Sequence, residues 1–201
     1  LALASLLTAS SGLAAGYADA VTAYRPGTGV ATEFGTGRGY TNTSAVLGPP
    51  SRITPGQFGG PVDPFSPPYL PEQLLSIGTG GSLTVQFNDP IANDPTHLFG
   101  LDFIIFGSAG FVITNGDFAG GGVTDGSLFG GNAGSTRVSV SSDDVTYYEL
   151  TPSLAPIVDG PFPTDGLGDF SRPLNPSLIG ASFSGRDLAG IRTLYGGSGG
   201  G

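Results

Sequence analysis

The sequence contains no cysteine, methionine, tryptophan or lysine, and it has a single histidine, His97. Without cysteine, neither a disulfide nor a thiolate metal site can stabilise the fold. With one histidine and no lysine, few groups are left that could act as a base or nucleophile near neutral pH. The composition therefore argues against an enzyme, and we interpret the chain as non-catalytic.

Positive charge and long apolar runs are also scarce. All seven basic residues are arginines, set against 16 carboxylates, and the formal net charge is −9. These arginines are scattered along the chain, whereas phosphate binding needs clustered cations, so no nucleic acid partner is expected. No run approaches the roughly 18 uninterrupted apolar residues that cross a bilayer, so no transmembrane span is predicted.

The first residues have the composition of an export signal. Residues 1–15 read LALASLLTASSGLAA, an apolar stretch ending in small residues, and cleavage is expected after Ala15 or Ala20. We interpret residues 1–20 as the remnant of a signal peptide, which predicts a secreted or cell-surface protein; the alternative is a buried N-terminal helix. Residues 21–201 are long enough for a single domain, which we interpret as incomplete at its C-terminus.

Short strands separated by long connections dominate the pattern, with 36 glycines and 17 prolines in the chain. The segment LDFIIF, residues 101–106, is predicted as the central core strand because it is almost continuously apolar. A hairpin is predicted over residues 137–150, with Asp143 and Asp144 in its turn and Val138 and Val140 facing inward. Further strands are predicted at residues 19–24, 82–88 and 182–183, and one helix at 187–195. This pattern predicts an all-β fold, an antiparallel β-sandwich or jelly roll.

Oxygen-bearing side chains are concentrated within fifteen residues around a turn. Asp89, Asp94 and Asp102 lie there, and hard cations such as Ca²⁺ prefer carboxylates at such irregular spacing. The alternative is that Asn-Asp-Pro sequences merely form turns. Asp102 carries the metal hypothesis, since a carboxylate that opens an apolar strand is costly unless it is paired, hydrogen-bonded or metal-bound. A structural calcium ion is thus the one cofactor that the sequence suggests.

The glycine run at residues 196–200 matches the pattern G-x-S-x-G of a nucleophile elbow. Such an elbow needs a strand before the serine and a helix after it. Neither is predicted around Ser198, so we interpret the match as glycine low complexity.

Several segments resemble secreted bacterial cell-surface proteins often found with PEP-CTERM sorting signals. The segments are GYTNTSAVLGPPSR (39–52), LLSIGTGGSLTVQFNDPIANDP (74–95), GLDFIIFGSAGF (100–111), RVSVSSDDVTYYEL (137–150) and LYGGSGGG (194–201). The resemblance implies a galactose-binding-like jelly roll, related in architecture to discoidin domains. It also implies further strands, and any sorting anchor, beyond the glycine run.

Jelly rolls of this kind bind ligands through loops at one end of the sandwich. We therefore expect a ligand site in the proline-rich segment 49–71 and the glycine-rich segment 115–134. Phe65 and Tyr69 are the candidate stacking platforms, and Arg38 and Asp117 the candidate hydrogen-bonding groups. The expected function is binding of extracellular polysaccharide or a cell-surface glycan. The alternatives are a structural module of a surface layer or matrix without a small ligand, and, for the proline-rich segment, a surface loop pinned to the core by its aromatic rings.

Overall fold

The computed structural model describes residues 16–130, 136–151 and 162–201 of the chain. Its strands are short, and the part of the predicted signal segment at residues 1–15 lies outside this description. Within the described residues the strands are β1 (Ala20–Arg25), β2 (Ile53–Thr54), β3 (Gly60–Pro61), β4 (Ser82–Gln86), β5 (Gly110–Phe111), β6 (Val123–Thr124), β7 (Leu128–Phe129), β8 (Ser139–Val140), β9 (Tyr148–Glu149) and β10 (Arg186–Asp187). One α-helix, α1, spans Leu188–Tyr195, and 3₁₀ turns lie at Thr43–Val46, Leu98–Gly100 and Gly180–Phe183.

The fold is mainly β with little helix, and every strand pair in the described ranges is antiparallel. The pairs form five two-stranded sheets: β1 with β4, β2 with β3, β5 with β7, β6 with β10, and β8 with β9. The expected all-β class is confirmed at this level. Three of the pairs, β1–β4, β5–β7 and β6–β10, join strands that are not consecutive in the sequence. The fold therefore depends on long-range pairing more than on hairpins.

The longest ladder pairs β1 with β4, which confirms the strands predicted at residues 19–24 and 82–88. Tyr24 lies opposite Leu83, and a bulge shifts the register between Val21 and Ala23. The Tyr24 hydroxyl donates to the Ser76 carbonyl at 2.7 Å, which ties the chain before β4 to β1. Alternating apolar residues in β4 thus predicted a strand correctly because one face of the ladder is half-buried.

The predicted hairpin forms, although it is shorter and more exposed than expected. Strands β8 and β9 pair Val140 with Tyr148. Asp143 Oδ1 accepts the N–H groups of Val145 and Thr146 at 2.9 and 2.7 Å, and these bonds lower the pKa of Asp143. The expectation that Val140 faces inward is wrong, since its side chain is exposed.

Two strand predictions are wrong. Residues 101–106 are mostly half-buried but form no strand. An apolar run reports burial, and burial does not require pairing. The predicted strand at residues 182–183 is the end of a 3₁₀ turn, where Ser182 N–H donates to the Ile179 carbonyl.

The hydrophobic core is built largely from aromatic rings contributed by distant segments. Its buried members are Phe111, Phe162, Leu174, Phe183, Ile191 and Tyr195. Phe183 is central: its ring centroid lies 4.8 Å from Phe111, 5.0 Å from Phe162 and 5.9 Å from Tyr195. These distances are those of favourable aromatic pairs, so the core combines apolar burial with ring packing.

The helix α1 confirms the prediction at residues 187–195. Asp187 caps its N-terminus by accepting the Gly190 N–H at 2.8 Å, and Gly196 ends it in the left-handed conformation with φ 58°. Ile191 and Tyr195, one turn apart, face the core. The Tyr195 hydroxyl donates to the Pro163 carbonyl at 2.7 Å, and burial raises the pKa of this tyrosine.

An ion pair joins α1 to the segment after residue 162. Arg192 Nε and its terminal nitrogen bind the two carboxylate oxygens of Asp165 at 2.7 and 3.0 Å. The Asp165 side chain is 3% exposed and that of Arg192 33% exposed. A buried carboxylate is tolerated here because the guanidinium satisfies both of its oxygens.

The glycine run 196–201 is a packed part of the structure. It runs beside residues 162–169: Asp169 N–H donates to the Gly197 carbonyl, Gly199 N–H to that of Asp169, and Asp165 N–H to that of Gly199. Ser198 is 1% exposed, and its hydroxyl accepts the Gly200 N–H at 3.1 Å. The buried serine lacks the exposed position of an elbow nucleophile. The run has a low-complexity sequence, yet its backbone is hydrogen-bonded to residues 165–169.

Replacing Gly168 by alanine is expected to lower the free energy of unfolding by about 2 kcal/mol, the middle of the range for overpacking. A Cβ at this position would overlap the carbonyl of Ser198 and the Cα of Gly199, and neither backbone group can move aside as a side chain could. The control is Gly60→Ala, because a Cβ there meets no atom within 4 Å. Urea denaturation of both variants checks this; equal stabilities would contradict the packing of the glycine run.

Candidate functional site

The proline-rich and glycine-rich segments meet at the β5–β7 sheet. Gly110 lies opposite Phe129 in this sheet, and Phe111 opposite Leu128. Phe111 N–H also donates to the Pro64 carbonyl at 2.8 Å. The residue before Phe65 is thereby fixed against β5. Long-range backbone pairing, rather than proximity in sequence, brings these two segments together.

An open groove lies at this junction, with a volume of about 360 Å³. We call it the aromatic groove, and its lining residues are Phe65, Phe111, Val112, Ile113, Phe118 and Phe129. Phe111 belongs to the core and is fully buried, whereas Phe129 is 46% and Phe118 80% exposed. The base of the groove is therefore part of the hydrophobic core, and its outer rings are in contact with solvent.

Glycine at position 110 allows the Phe129 ring to cross the backbone. A Cβ at Gly110 would lie 2.6 Å from Cζ of Phe129 and 2.9 Å from Cδ of Pro67. Any larger residue would displace the ring, so this glycine sets the position of one groove wall.

The loop that carries Phe118 is closed by one asparagine. Asn115 Oδ1 accepts the N–H groups of Asp117 and Val123 at 3.3 and 3.1 Å, and its amide donates to the Gly121 carbonyl at 2.9 Å. Asp117 Oδ1 in turn accepts the Ala119 N–H at 2.9 Å. These bonds hold the exposed Phe118 ring at the rim without burying it.

The four predicted ligand residues fall into two groups. Phe65 lines the aromatic groove and packs against the core, and Asp117 lies next to Phe118 in the loop just described. Phe65 therefore also does what the alternative interpretation expected, since it pins the proline-rich segment to the core. The two remaining residues, Arg38 and Tyr69, contact other partners.

Arg38 and Tyr69 lie on a second surface with Glu72 and Tyr40. The Arg38 guanidinium binds Glu72 Oε1 at 2.7 Å, and the Tyr40 hydroxyl donates to the Tyr69 carbonyl at 2.8 Å. The hydrogen bond between Arg38 and Glu72 raises the pKa of Arg38 and lowers the pKa of Glu72. Both charged side chains are mostly exposed, so the pair contributes little to stability. Tyr69 is 37% exposed.

Two of the three predicted calcium ligands, Asp94 and Asp102, accept hydrogen bonds from other groups of the protein. Asp102 Oδ1 accepts the Asp94 N–H at 3.0 Å and lies 2.9 Å from Nδ1 of His97. Asp94 Oδ1 accepts the Thr96 hydroxyl and N–H, which lower its pKa, and Asp89 is exposed. Among the described residues, no group of three or more histidine and carboxylate side chains is placed to hold a metal ion. Asp102 therefore has hydrogen-bonding partners within the protein, and calcium at these residues stays a prediction.

Sequence reasoning missed Phe118, Phe129 and Ile113. The glycines of segment 115–134 favour a loop, yet its described part contains β6 and β7. The available signal was the presence of two phenylalanines, Phe118 and Phe129, in a glycine-rich segment. The last residues of that segment, 131–134, lie outside the described ranges.

In comparisons with protein-family models, with curated proteins and with solved structures, nothing matches this chain. Within residues 16–130, 136–151 and 162–201, no helix is long and apolar enough to cross a membrane.

Proposed function

We propose that this protein is a secreted or cell-surface, non-catalytic module that binds extracellular polysaccharide in the aromatic groove. The observation that carries the proposal is the Phe118 ring, which is 80% exposed at the rim of a concave apolar site. An exposed apolar side chain next to a groove is typical of an interaction site. Flat aromatic faces suit the C–H faces of pyranose rings, and the groove volume lies within the range of small-ligand sites.

The proposal extends to fold and location. The antiparallel sheets with long-range pairing support a jelly-roll sandwich of galactose-binding-like type, and the composition of residues 1–15 supports export. Asp19 N–H donates to the Gln86 carbonyl, and Ala20 begins β1. Cleavage after Ala15 would keep both residues in the mature chain, so we favour that site over Ala20.

The non-catalytic part of the proposal is supported by the position of the groups that could perform catalysis. His97 is bound to Asp102, and its side chain is 19% exposed. Ser198 is buried. Neither residue lines the aromatic groove. Incubation with polysaccharide should therefore release no reducing ends.

Replacing Phe118 by alanine is expected to weaken polysaccharide binding about tenfold, because one aromatic contact is worth roughly 1 kcal/mol beyond its buried area. The measurement is a binding screen of the purified chain against soluble xylan, galactan, dextran and hydroxyethyl cellulose, followed by isothermal titration on each polymer that binds. Phe118 is so exposed that its truncation should leave stability unchanged.

The matched control is Phe34→Ala, since Phe34 is fully exposed and does not line the groove. Binding that falls for Phe118→Ala and stays constant for Phe34→Ala supports the groove. Absence of saturable binding by the parent chain, or equal losses in the two variants, would overturn the proposal.

Calcium at Asp89, Asp94 and Asp102 stays a prediction of the sequence, and the same screen tests it when repeated with a chelator. Carboxylates are suitable ligands, but two of the three already accept hydrogen bonds from protein groups. A chelator that lowers both binding and the melting temperature would favour a structural ion. Unchanged values would leave these residues as turn formers.

The second candidate function, a structural module of a surface layer or matrix, is favoured by exposed apolar residues outside the groove. Phe34, Phe58 and Val145 are all more than 80% exposed. Such residues, if they form contacts between copies, would produce self-association without sugar. Light scattering during size-exclusion chromatography separates the candidates: concentration-dependent oligomers and no glycan binding would favour the structural module.

A further inference from the structure

We propose that the aromatic groove takes an uncharged polysaccharide and discriminates against anionic ones. This inference rests on the proposed function and names the chemical class of the ligand. The geometry that carries it is the charge at the groove: the lining is uncharged, and a carboxylate is the neighbour of the exposed Phe118.

The lining itself has no charged side chain, since all six residues are aromatic or aliphatic. Asp117 is the neighbour in sequence of the exposed Phe118. One of its oxygens accepts the Ala119 N–H, and the other lies against Gly121. The carboxylate is thus held at the rim by the same loop that presents the ring. A ligand stacked on Phe118 passes close to this negative charge.

A second carboxylate is linked to the lining by one backbone bond. Asp125 Oδ1 accepts the Ser127 hydroxyl and N–H at 2.6 and 2.9 Å, and the Ser127 carbonyl accepts the Val112 N–H at 3.0 Å. The hydrogen bonds from Ser127, first from its hydroxyl and then from its N–H, lower the pKa of Asp125. Asp125 is exposed, and its carboxylate belongs to the same loop as Ser127, whose carbonyl binds Val112 of the lining.

None of the seven arginines lines the groove, and several are held in place by other contacts. Arg192 binds Asp165, Arg38 binds Glu72, and Arg52 lies 4.2 Å above the Phe170 ring. Arg186 lies opposite Thr124, the neighbour of Asp125, and packs its side chain against Gly190. An anionic polymer would lose hydrating water on entering the groove, and no guanidinium among the lining residues would compensate for that loss.

The chain as a whole has a net charge of −9, so the local and the long-range fields have the same sign. Repulsion between exposed charges extends over about 10 Å at 0.1 M salt and is largely screened beyond that distance. An uncharged chain of pyranose rings avoids this repulsion and keeps the aromatic contacts. Its affinity should therefore depend little on salt, whereas that of a charged derivative should rise with salt.

The test compares polymers with the same backbone and different charge: hydroxyethyl cellulose with carboxymethyl cellulose, and dextran with dextran sulfate. We expect the parent chain to bind at least one neutral polymer. Its affinity for that polymer should change by less than about twofold between 50 and 500 mM NaCl, because a neutral ligand has no charge for the salt to screen. The charged derivative should bind about fivefold more weakly at 50 mM NaCl, and the difference should narrow at 500 mM.

Asp117→Asn is the decisive variant, because an amide oxygen can still accept the Ala119 N–H while the charge is removed. It should raise affinity for the charged derivative about fivefold, the effect of one charge at roughly 4 Å in water, and leave the neutral polymer unchanged. The control, Asp143→Asn, removes a carboxylate with the same turn-forming role in the β8–β9 hairpin. It should change neither affinity.

The outcomes separate the two proposals. If no polymer binds, the proposed function fails and the inference fails with it. If carboxymethyl cellulose or dextran sulfate binds as well as its neutral partner, and Phe118→Ala still weakens binding, the groove is a glycan site but the inference is wrong. If Asp117→Asn leaves the discrimination intact, the rim carboxylate is not its cause, and the inference is overturned.

Discussion

Phe183→Ala is expected to lower the free energy of unfolding by about 3–5 kcal/mol, the usual cost of truncating a buried phenylalanine. The side chain is completely buried and its ring contacts those of Phe111, Phe162 and Tyr195. Alanine would leave a cavity between three rings that come from three separate segments, and rings held by different segments cannot all move inward to fill it. Since small domains are stable by only about 5–15 kcal/mol, this variant should be close to unfolding.

Equilibrium denaturation in urea measures the change, with Phe34→Ala as its counterpart. Phe34 is fully exposed, so its truncation should alter stability by less than about 0.5 kcal/mol. A loss below about 1 kcal/mol in Phe183→Ala would show that the aromatic cluster is not the core of the folded protein.

The second large effect is expected from Arg192→Ala, which should lower the free energy of unfolding by about 3 kcal/mol. The substitution leaves the Asp165 carboxylate, 3% exposed, without the two bonds that it accepts from the guanidinium. This cost lies at the lower end of the range for a broken buried ion pair. The reason is that 33% of the Arg192 side chain is exposed, so water can partly take the place of the guanidinium in the variant. Thermal and urea denaturation would both report the loss.

Two comparisons identify the cause. Arg137→Ala removes an arginine that lies 3.7 Å from Glu149 with both side chains mostly exposed, so it should cost less than about 0.5 kcal/mol. Adding Asp165→Asn to Arg192→Ala should recover part of the lost stability, because the unpaired charge, rather than the missing arginine, is what is costly. No recovery would mean that Arg192 acts through packing of its aliphatic stem.

The elements that sequence analysis predicted correctly are those with local causes. The β4 strand follows from its alternation, the β8–β9 turn from Asp143, and helix α1 from Asp187 at its start and the apolar face that includes Ile191. In each case the residues that determine the structure lie within a few positions of one another. Their side chains satisfy backbone groups or bury one face regardless of what the rest of the chain does.

The elements that it failed to predict depend on distant partners. Residues 101–106 have the composition of a core strand but form none, because a strand also needs a partner strand, which composition does not report. The aromatic groove likewise exists only because Phe111 pairs with Leu128 and binds Pro64. Sequence alone named Phe65, which lines the groove, and missed Phe118, since the long-range pairing that joins them leaves no periodic signal in either segment.

The glycines at the end of the chain change how its tolerance to mutation should be understood. A Cβ at Gly199 would overlap the Phe170 ring, and one at Gly200 would overlap the Pro163 carbonyl. A run that reads like a flexible linker, where almost any small polar residue would serve, is thus a place where the absence of a side chain is a steric requirement. Mutational scanning should find this run among the least permissive parts of the protein, and the exposed phenylalanines outside the groove, Phe34 and Phe58, among the most permissive.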